Sequence, residues 1–295
     1  MTNASQFSWL SAMPIVFVGI WSTGFIVARY GMPNSPPFAF LWLRFAFSIL
    51  CFLPWIWLSK VQWPSDKRQW LHLSITGVLM QAGYLGGVWS AVKAGMGSGL
   101  SALIVGLQPV LTAIWLSSQG GHVTSRQWQG LLLGFAGLSM VVSHKLEGGI
   151  EVTPFSLSMA LMALASITVG TLYQKQFVKP CDVRTASSVQ LMAAWVVTLP
   201  LAMIETEAIQ WNSQMLYAMA WSVLCLTLGG SSLFYLLIQR GAAASVTSLM
   251  YLVPPTTAVI ALVLFGETIT WTTLLGILVT ALGVSLVVRQ PKIEG

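Results

Sequence analysis

The sequence predicts an all-α integral membrane protein of ten transmembrane helices, arranged as two inverted five-helix repeats. Three observations lead there. First, 56% of the 295 residues are hydrophobic and only 7% charged, with a mean hydropathy of +0.77. A soluble domain carries roughly 25% charged residues, and no soluble core could hide this much apolar surface. Second, the apolar residues fall into ten runs, each near the length a helical span needs. Third, the chain matches itself at a constant shift of 146 residues, which lays Pro255 on Pro109, Gly241 on Gly95, Leu249 on Leu103 and Gly266 on Gly120.

The runs lie at about 12–30, 37–58, 70–92, 98–117 and 128–144, then 154–174, 186–204, 215–239, 244–265 and 271–288. The leading MTNASQFSWLSAMP has no Lys or Arg and so lacks the charged start of a signal peptide; the first run is read as a retained helix. Its Gly24 and Arg29 fall on Gly170 and Lys175 of the sixth. In the second run Leu53-Pro54 falls on Leu199-Pro200, and in the third Trp89 falls on Tyr235. The fourth and ninth share the proline motif. The fifth begins with a capping-box spacing, Thr124 and Gln127. Its Gly130, Gly137 and Ser139 fall on Gly276, Gly283 and Ser285 of the tenth. Thr153-Pro154 puts a cap before a proline at the start of the sixth. The repeats are expected to occupy residues 1–145 and 150–295, with connections too short for a soluble domain.

Cations set the expected orientation. With the N-terminus inside, the inner segments hold Lys60, Lys67, Arg68, Arg126, Lys175, Lys179, Arg184, Arg240, Arg289 and Lys292; the outer ones hold Arg29, Lys93 and Lys145. Ten against three puts both termini in the cytoplasm. Five spans per copy is odd, so the copies lie inverted, the plan of secondary transporters with a midplane site between repeats. The net charge of +6 is scattered between spans and forms no nucleic-acid patch. Cys51, Cys181 and Cys225 show neither metal spacing nor a disulfide framework. No glycine-rich nucleotide loop is present, and no metal or other cofactor is expected.

Trp21-Ser-Thr-Gly-Phe-Ile-Val-Ala-Arg29, Arg44-Phe45, the Pro109 helix, and Leu252-Val-Pro-Pro255 followed by Phe265-Gly-Glu267 resemble the EamA-type, ten-helix branch of the drug/metabolite transporter superfamily. The resemblance covers nearly the whole chain and implies an inner-membrane carrier, often an exporter of amino acids and related metabolites. It also implies a central cavity lined by helices one, three, four, six, eight and nine. One departure stands out: the Gly-Glu that the family often carries after the fourth helix reads Gly120-Gly121 here.

The expected cavity residues are Trp21, Gln81, Tyr84, Gln108, Tyr173 and Tyr251, aromatic faces with a few uncharged polar groups that suit an amphipathic solute. The alternative for each is interface packing or interhelical contact. Pro109 and Pro255 free the carbonyls of Val105 and Tyr251; with Pro254 they are read either as paired hinges or as packing kinks. Arg44 is the only charge deep in a span. It is read as a structural tie, since the resemblance puts its helix outside the cavity, with a counter-ion for a substrate carboxylate as the other reading. The eight acidic residues and three histidines all lie in loops or at span ends, which favours facilitated efflux or exchange over proton coupling. A lipophilic-cation exporter would need an acid in the cavity, and an intramembrane enzyme a nucleophile–base pair, dyad or metal cluster. The partners expected are a small solute and the bilayer. Glycines at 83, 86, 87, 95, 97, 99, 130 and 134 allow close helix contact, within the chain or in a homodimer.

Overall fold

The computed structural model describes residues 9–118, 125–147, 152–239, 252–267 and 269–288. They form helices, with no strand among them. Helix α1 is Trp9–Gly31 and α2 is Pro37–Leu58. Helix α3 runs Lys67–Gly77, passes through a π-helical turn at Val78–Gly83 and continues as Tyr84–Lys93. Helix α4 is Ser98–Val105, broken at Gly106 and Leu107, then Gln108–Ser118. Helices α5, α6 and α7 are Ser125–Glu147, Pro154–Phe177 and Val183–Ile204. Helix α8 is Ser213–Trp221, a π-helical stretch Ser222–Ser231, and Ser232–Gln239. Helices α9 and α10 are Val253–Phe265 and Trp271–Val288.

The expected spans and these helices coincide closely, α2 and α10 end to end. The first part of the ninth expected span, with Tyr251, lies outside the described residues, as does Thr124 of the expected capping box. Thr153 does cap α6: its hydroxyl accepts from Ser156 N, and Ser156 Oγ accepts from Thr153 N. Asp66, Asp182 and Asn212 cap α3, α7 and α8 in the same way, each meeting one of the free N–H groups of a helix start. Four spans, Pro37–Leu58, Pro154–Phe177, Val183–Ile204 and Ser213–Tyr235, are long and apolar enough to cross a membrane alone. Their outward faces carry large apolar side chains; Trp57 and Met203 are each more than three-quarters exposed. Such a surface is at home against lipid and costly in water. The chain is an all-α membrane protein.

Contacts between helices pair off across the 146-residue shift. Helix α3 packs on α6 as α8 packs on α1; α4 meets α6 as α9 meets α1; α7 meets α3 as α2 meets α8. The self-related pairs α2–α7, α4–α9 and α5–α10 lie on the axis between the halves. The agreement reaches single atoms. A Cβ on Gly137 would sit 2.6 Å from the carbonyl oxygen of Gly276, and one on Gly283 would sit 2.5 Å from that of Gly130. Gly24 faces Leu226, while Gly170, its image, faces Met80, the image of Leu226. Three of the glycines singled out in the sequence meet neighbours inside the chain: Gly83 lies against Ser166, Gly86 against Phe38, Gly87 against Met159 and Ala163.

Candidate functional site

Between the halves, midway along the bundle, lies a cavity walled by α1, α2, α3, α6, α7 and α8. Its volume is about 50 Å³, counted as space open to the centre of a water molecule. That is room for about three to five waters, so a larger solute needs the walls to part.

The two π-helical turns form part of its wall. They occupy equivalent places in α3 and α8, and each carries lining residues, Met80 and Gln81 in one, Leu226 and Ser231 in the other. A π turn leaves the normal hydrogen-bond ladder short, and hydroxyls help close the gap. Thr227 Oγ1 donates to Ser222 O at 2.9 Å, and Ser231 Oγ to Leu226 O at 3.3 Å. Wide turns of this kind gather at functional sites because they re-aim side chains.

Three of the six expected residues, Trp21, Gln81 and Tyr84, line the cavity. The Trp21 and Tyr84 rings stack with centroids 6.3 Å apart and planes 4° apart. Gln108 and Pro109 line a smaller adjoining space shared with Trp21 and Tyr84, and Gln108 Nε2 donates to Thr171 Oγ1, tying α4 to α6. Tyr173 is elsewhere. Its hydroxyl meets His72 Nδ1 at 2.8 Å, and its ring packs on Phe177, where α3 begins and α6 ends. Tyr251 lies outside the described residues.

Arg44 departs from the expectation drawn from the resemblance. Although α2 and α7 were expected outside the cavity, Arg44 of α2 and Ser187 and Gln190 of α7 line it. Arg44 is 3% exposed. Its Nε donates to Thr227 Oγ1 at 3.1 Å, and its guanidinium carbon stands 5.9 Å from the centre of the Trp89 ring. Gln190, Gln174 and Ser187 are lining residues that sequence reasoning missed. One signal was available: Gln190 is the 146-residue image of Arg44, and Thr227 that of Gln81.

The prolines sit at helix starts. Pro109 is the second residue of the Gln108–Ser118 segment, and Pro254 and Pro255 fall in the first turn of α9. A missing N–H costs little there. The break in α4 meets the start of α9 directly: a Cβ on Gly106 would lie 2.9 Å from Pro254 Cγ. The break in α4 therefore sits against the start of α9, beside the cavity.

The face carrying residues 31–36, 93–97 and 205–212 is closed by charge. Glu267 follows Gly266, whose left-handed φ of 64° turns the chain back at the end of α9. Its carboxylate pairs with Arg29 at the end of α1 and accepts from Ser98 N and Oγ at the start of α4. Lys93 donates to Met32 O and pairs with Glu207. Glu205 accepts from the N–H groups of Phe38 and Ala39, where α2 begins. Burial raises its carboxyl above the usual range, and those two N–H groups offset part of the rise. On the opposite face Gln69 exchanges hydrogen bonds with Lys179, and Asp182 forks onto Arg184. The Arg184 hydrogen bond holds the Asp182 carboxyl below its usual value.

The description of the EamA-like transporter family is matched twice, over residues 8–143 and 154–289. An uncharacterized inner membrane transporter of Escherichia coli, YedA, is 25% identical over 252 residues, 85% of this chain and 81% of its own length. An uncharacterized transporter of Bacillus subtilis, YvbV, is 26% identical over 96% of this chain and 93% of its own. A probable amino-acid metabolite efflux pump of Salmonella typhimurium is 23% identical over 90% of this chain and 89% of its own. A crystal structure with 16% identity superposes with a TM-score of 0.68, covering 93% of this chain and 95% of the other, which establishes the same fold.

Proposed function

Since the chain belongs to the EamA-like transporter family and is a membrane transporter, we propose that it exports small amphipathic metabolites, amino acids or similar solutes, across the inner membrane by alternating access. The observation that carries this reading is the cavity. It lies between the two halves and is walled in large part by residues that are images of one another, Arg44 and Gln190, Met80 and Leu226, Trp89 and Tyr235. Aromatic rings and uncharged amides line it, the chemistry of a solute with an apolar body and a few polar groups. Export, rather than uptake, follows the relatives named as amino-acid metabolite efflux pumps. The cation count supports an orientation with the face carrying Arg29, Lys93 and Glu267 outside and both termini in the cytoplasm.

A lipophilic-cation exporter fits less well, because the described lining carries an arginine and no carboxylate. The test is counterflow in proteoliposomes preloaded in turn with aromatic, branched, small and charged amino acids, with and without a pH gradient. Saturable exchange of one group is expected, indifferent to the gradient. Absence of exchange with every group overturns the substrate reading.

A further inference from the structure

The cavity holds a cation, Arg44, for which no described residue supplies a counter-ion. A guanidinium keeps its proton inside proteins and offers five N–H donors in a planar fork. Around Arg44 one acceptor is supplied, Thr227 Oγ1, and one aromatic face, Trp89. The ion pairs among the described residues join Arg29 to Glu267, Lys93 to Glu207 and Arg184 to Asp182; none reaches Arg44. Among the described residues, no aspartate or glutamate lines the cavity. The two terminal nitrogens thus remain for a ligand, and two parallel N–H groups match the two oxygens of a carboxylate.

A second group points the same way. Gln190, 6% exposed, lines the same cavity, and its Nε2 is buried with no hydrogen-bond partner. A buried donor left unpaired is costly, and a ligand acceptor would remove that cost. The rest of the wall is aromatic or aliphatic: Trp21, Tyr84, Phe234, Leu226. A ligand ammonium, by contrast, would meet an arginine and no carboxylate.

Building on the export reading above, we infer that the cavity selects an amphipathic monocarboxylate, with its carboxylate on Arg44 and its apolar body between Trp21 and Tyr84. A monoanion neutralises the site. A zwitterion satisfies Arg44 but buries an ammonium without a partner, and a bare amine repels it. Selection should therefore run carboxylate over zwitterion over amine among ligands of one shape.

Three labelled probes of one shape test this: 3-phenylpropionate, phenylalanine and 2-phenylethylamine. Equilibrium binding is measured on the purified, detergent-solubilised protein. The acid is expected to bind about tenfold or more tighter than the amine, as one charged hydrogen-bonded pairing provides. In Arg44→Met that ratio falls to one or below, and Arg44→Lys restores part of it. The ratio is read within each variant, so a loss of folded protein cannot imitate the result. Equal or tighter binding of the amine overturns the inference and leaves the export reading intact. An unchanged ratio in Arg44→Met also overturns it. If none of the three binds, the inference fails, while counterflow with other amino acids still decides the export reading.

Discussion

Arg29 and Glu267 form an ion pair that the other half of the molecule cannot copy. Their images across the 146-residue shift are Lys175 and Gly121, and the image of Ser98, which also holds Glu267, is Ala244. The ends of α1, α4 and α9 are therefore fastened at one face by a carboxylate with no equivalent at the other. Glu267→Gln keeps the shape and removes the charge. A cysteine at Phe25, now 2% exposed beside the cavity, should then react several-fold faster with a membrane-impermeant maleimide added from that face. The charge swap R29E/E267R should bring the rate back down. Equal labelling in all three would show that this pair does not hold the face shut.

The axis contact between α5 and α10 leaves no room for a side chain. A Cβ on Gly283 would stand 2.4 Å from Gly134 N and 2.5 Å from Gly130 O. Gly283→Leu should cost at least the 1–3 kcal/mol typical of overpacking and lower the melting temperature in detergent. Gly19→Ala, with nothing within 4 Å, should leave it within about a degree or raise it slightly. Scanning fluorimetry of both variants checks the contrast.

Pro109 keeps the two pieces of α4 apart. Alanine there would supply the N–H that the carbonyl of Val105 lacks, bridging the break at Gly106. Pro109→Ala and Pro255→Ala should slow counterflow several-fold while equilibrium binding stays unchanged, because stiffer helices hinder conversion and not recognition. Unaltered rates would assign both prolines to packing alone.

Acid should loosen the start of α7. The Asp182 carboxyl sits below its ordinary value of 3.8, chiefly through the Arg184 hydrogen bond. A depressed carboxyl contributes stability that is present above the ordinary value and lost as pH falls through the folded one. Asp182→Asn retains a capping oxygen and loses the charge. The variant should melt below wild type at pH 7, and the gap should narrow as the pH is taken down below 3.8.

Much of the architecture was legible in the sequence. Lipid demands uninterrupted apolar helices, so the limits of α2 and α10 are visible as changes of composition, and one unbroken shift exposes the duplication. The site was legible in part. Trp21, Gln81 and Tyr84 stand out as polar or aromatic residues at mid-span. Arg44 stood out as a charge, but which way α2 turns it depends on packing against α8, a long-range contact with no local mark. Tyr173 misled for the same reason: a tyrosine near a helix end fits a cavity or a histidine equally well until His72 is seen beside it. The π turns left no compositional trace, since a wide turn uses the same residues as a narrow one.

Those turns also set a phase. One surplus residue rotates everything beyond it by about 100° relative to an unbroken helix. In α3 the residues past Gly83 include Trp89, which faces Arg44; in α8 those past Ser231 include Phe234 and Tyr235, which face the cavity. Removing a single residue from the Val78–Gly83 turn would let an ordinary helix form with no loss of apolar character. Every side chain downstream would then point a quarter-turn away, Trp89 toward a neighbour instead of Arg44. The selectivity of the site thus depends on a count of residues, and a sequence with each lining residue intact but one position shorter would have lost it.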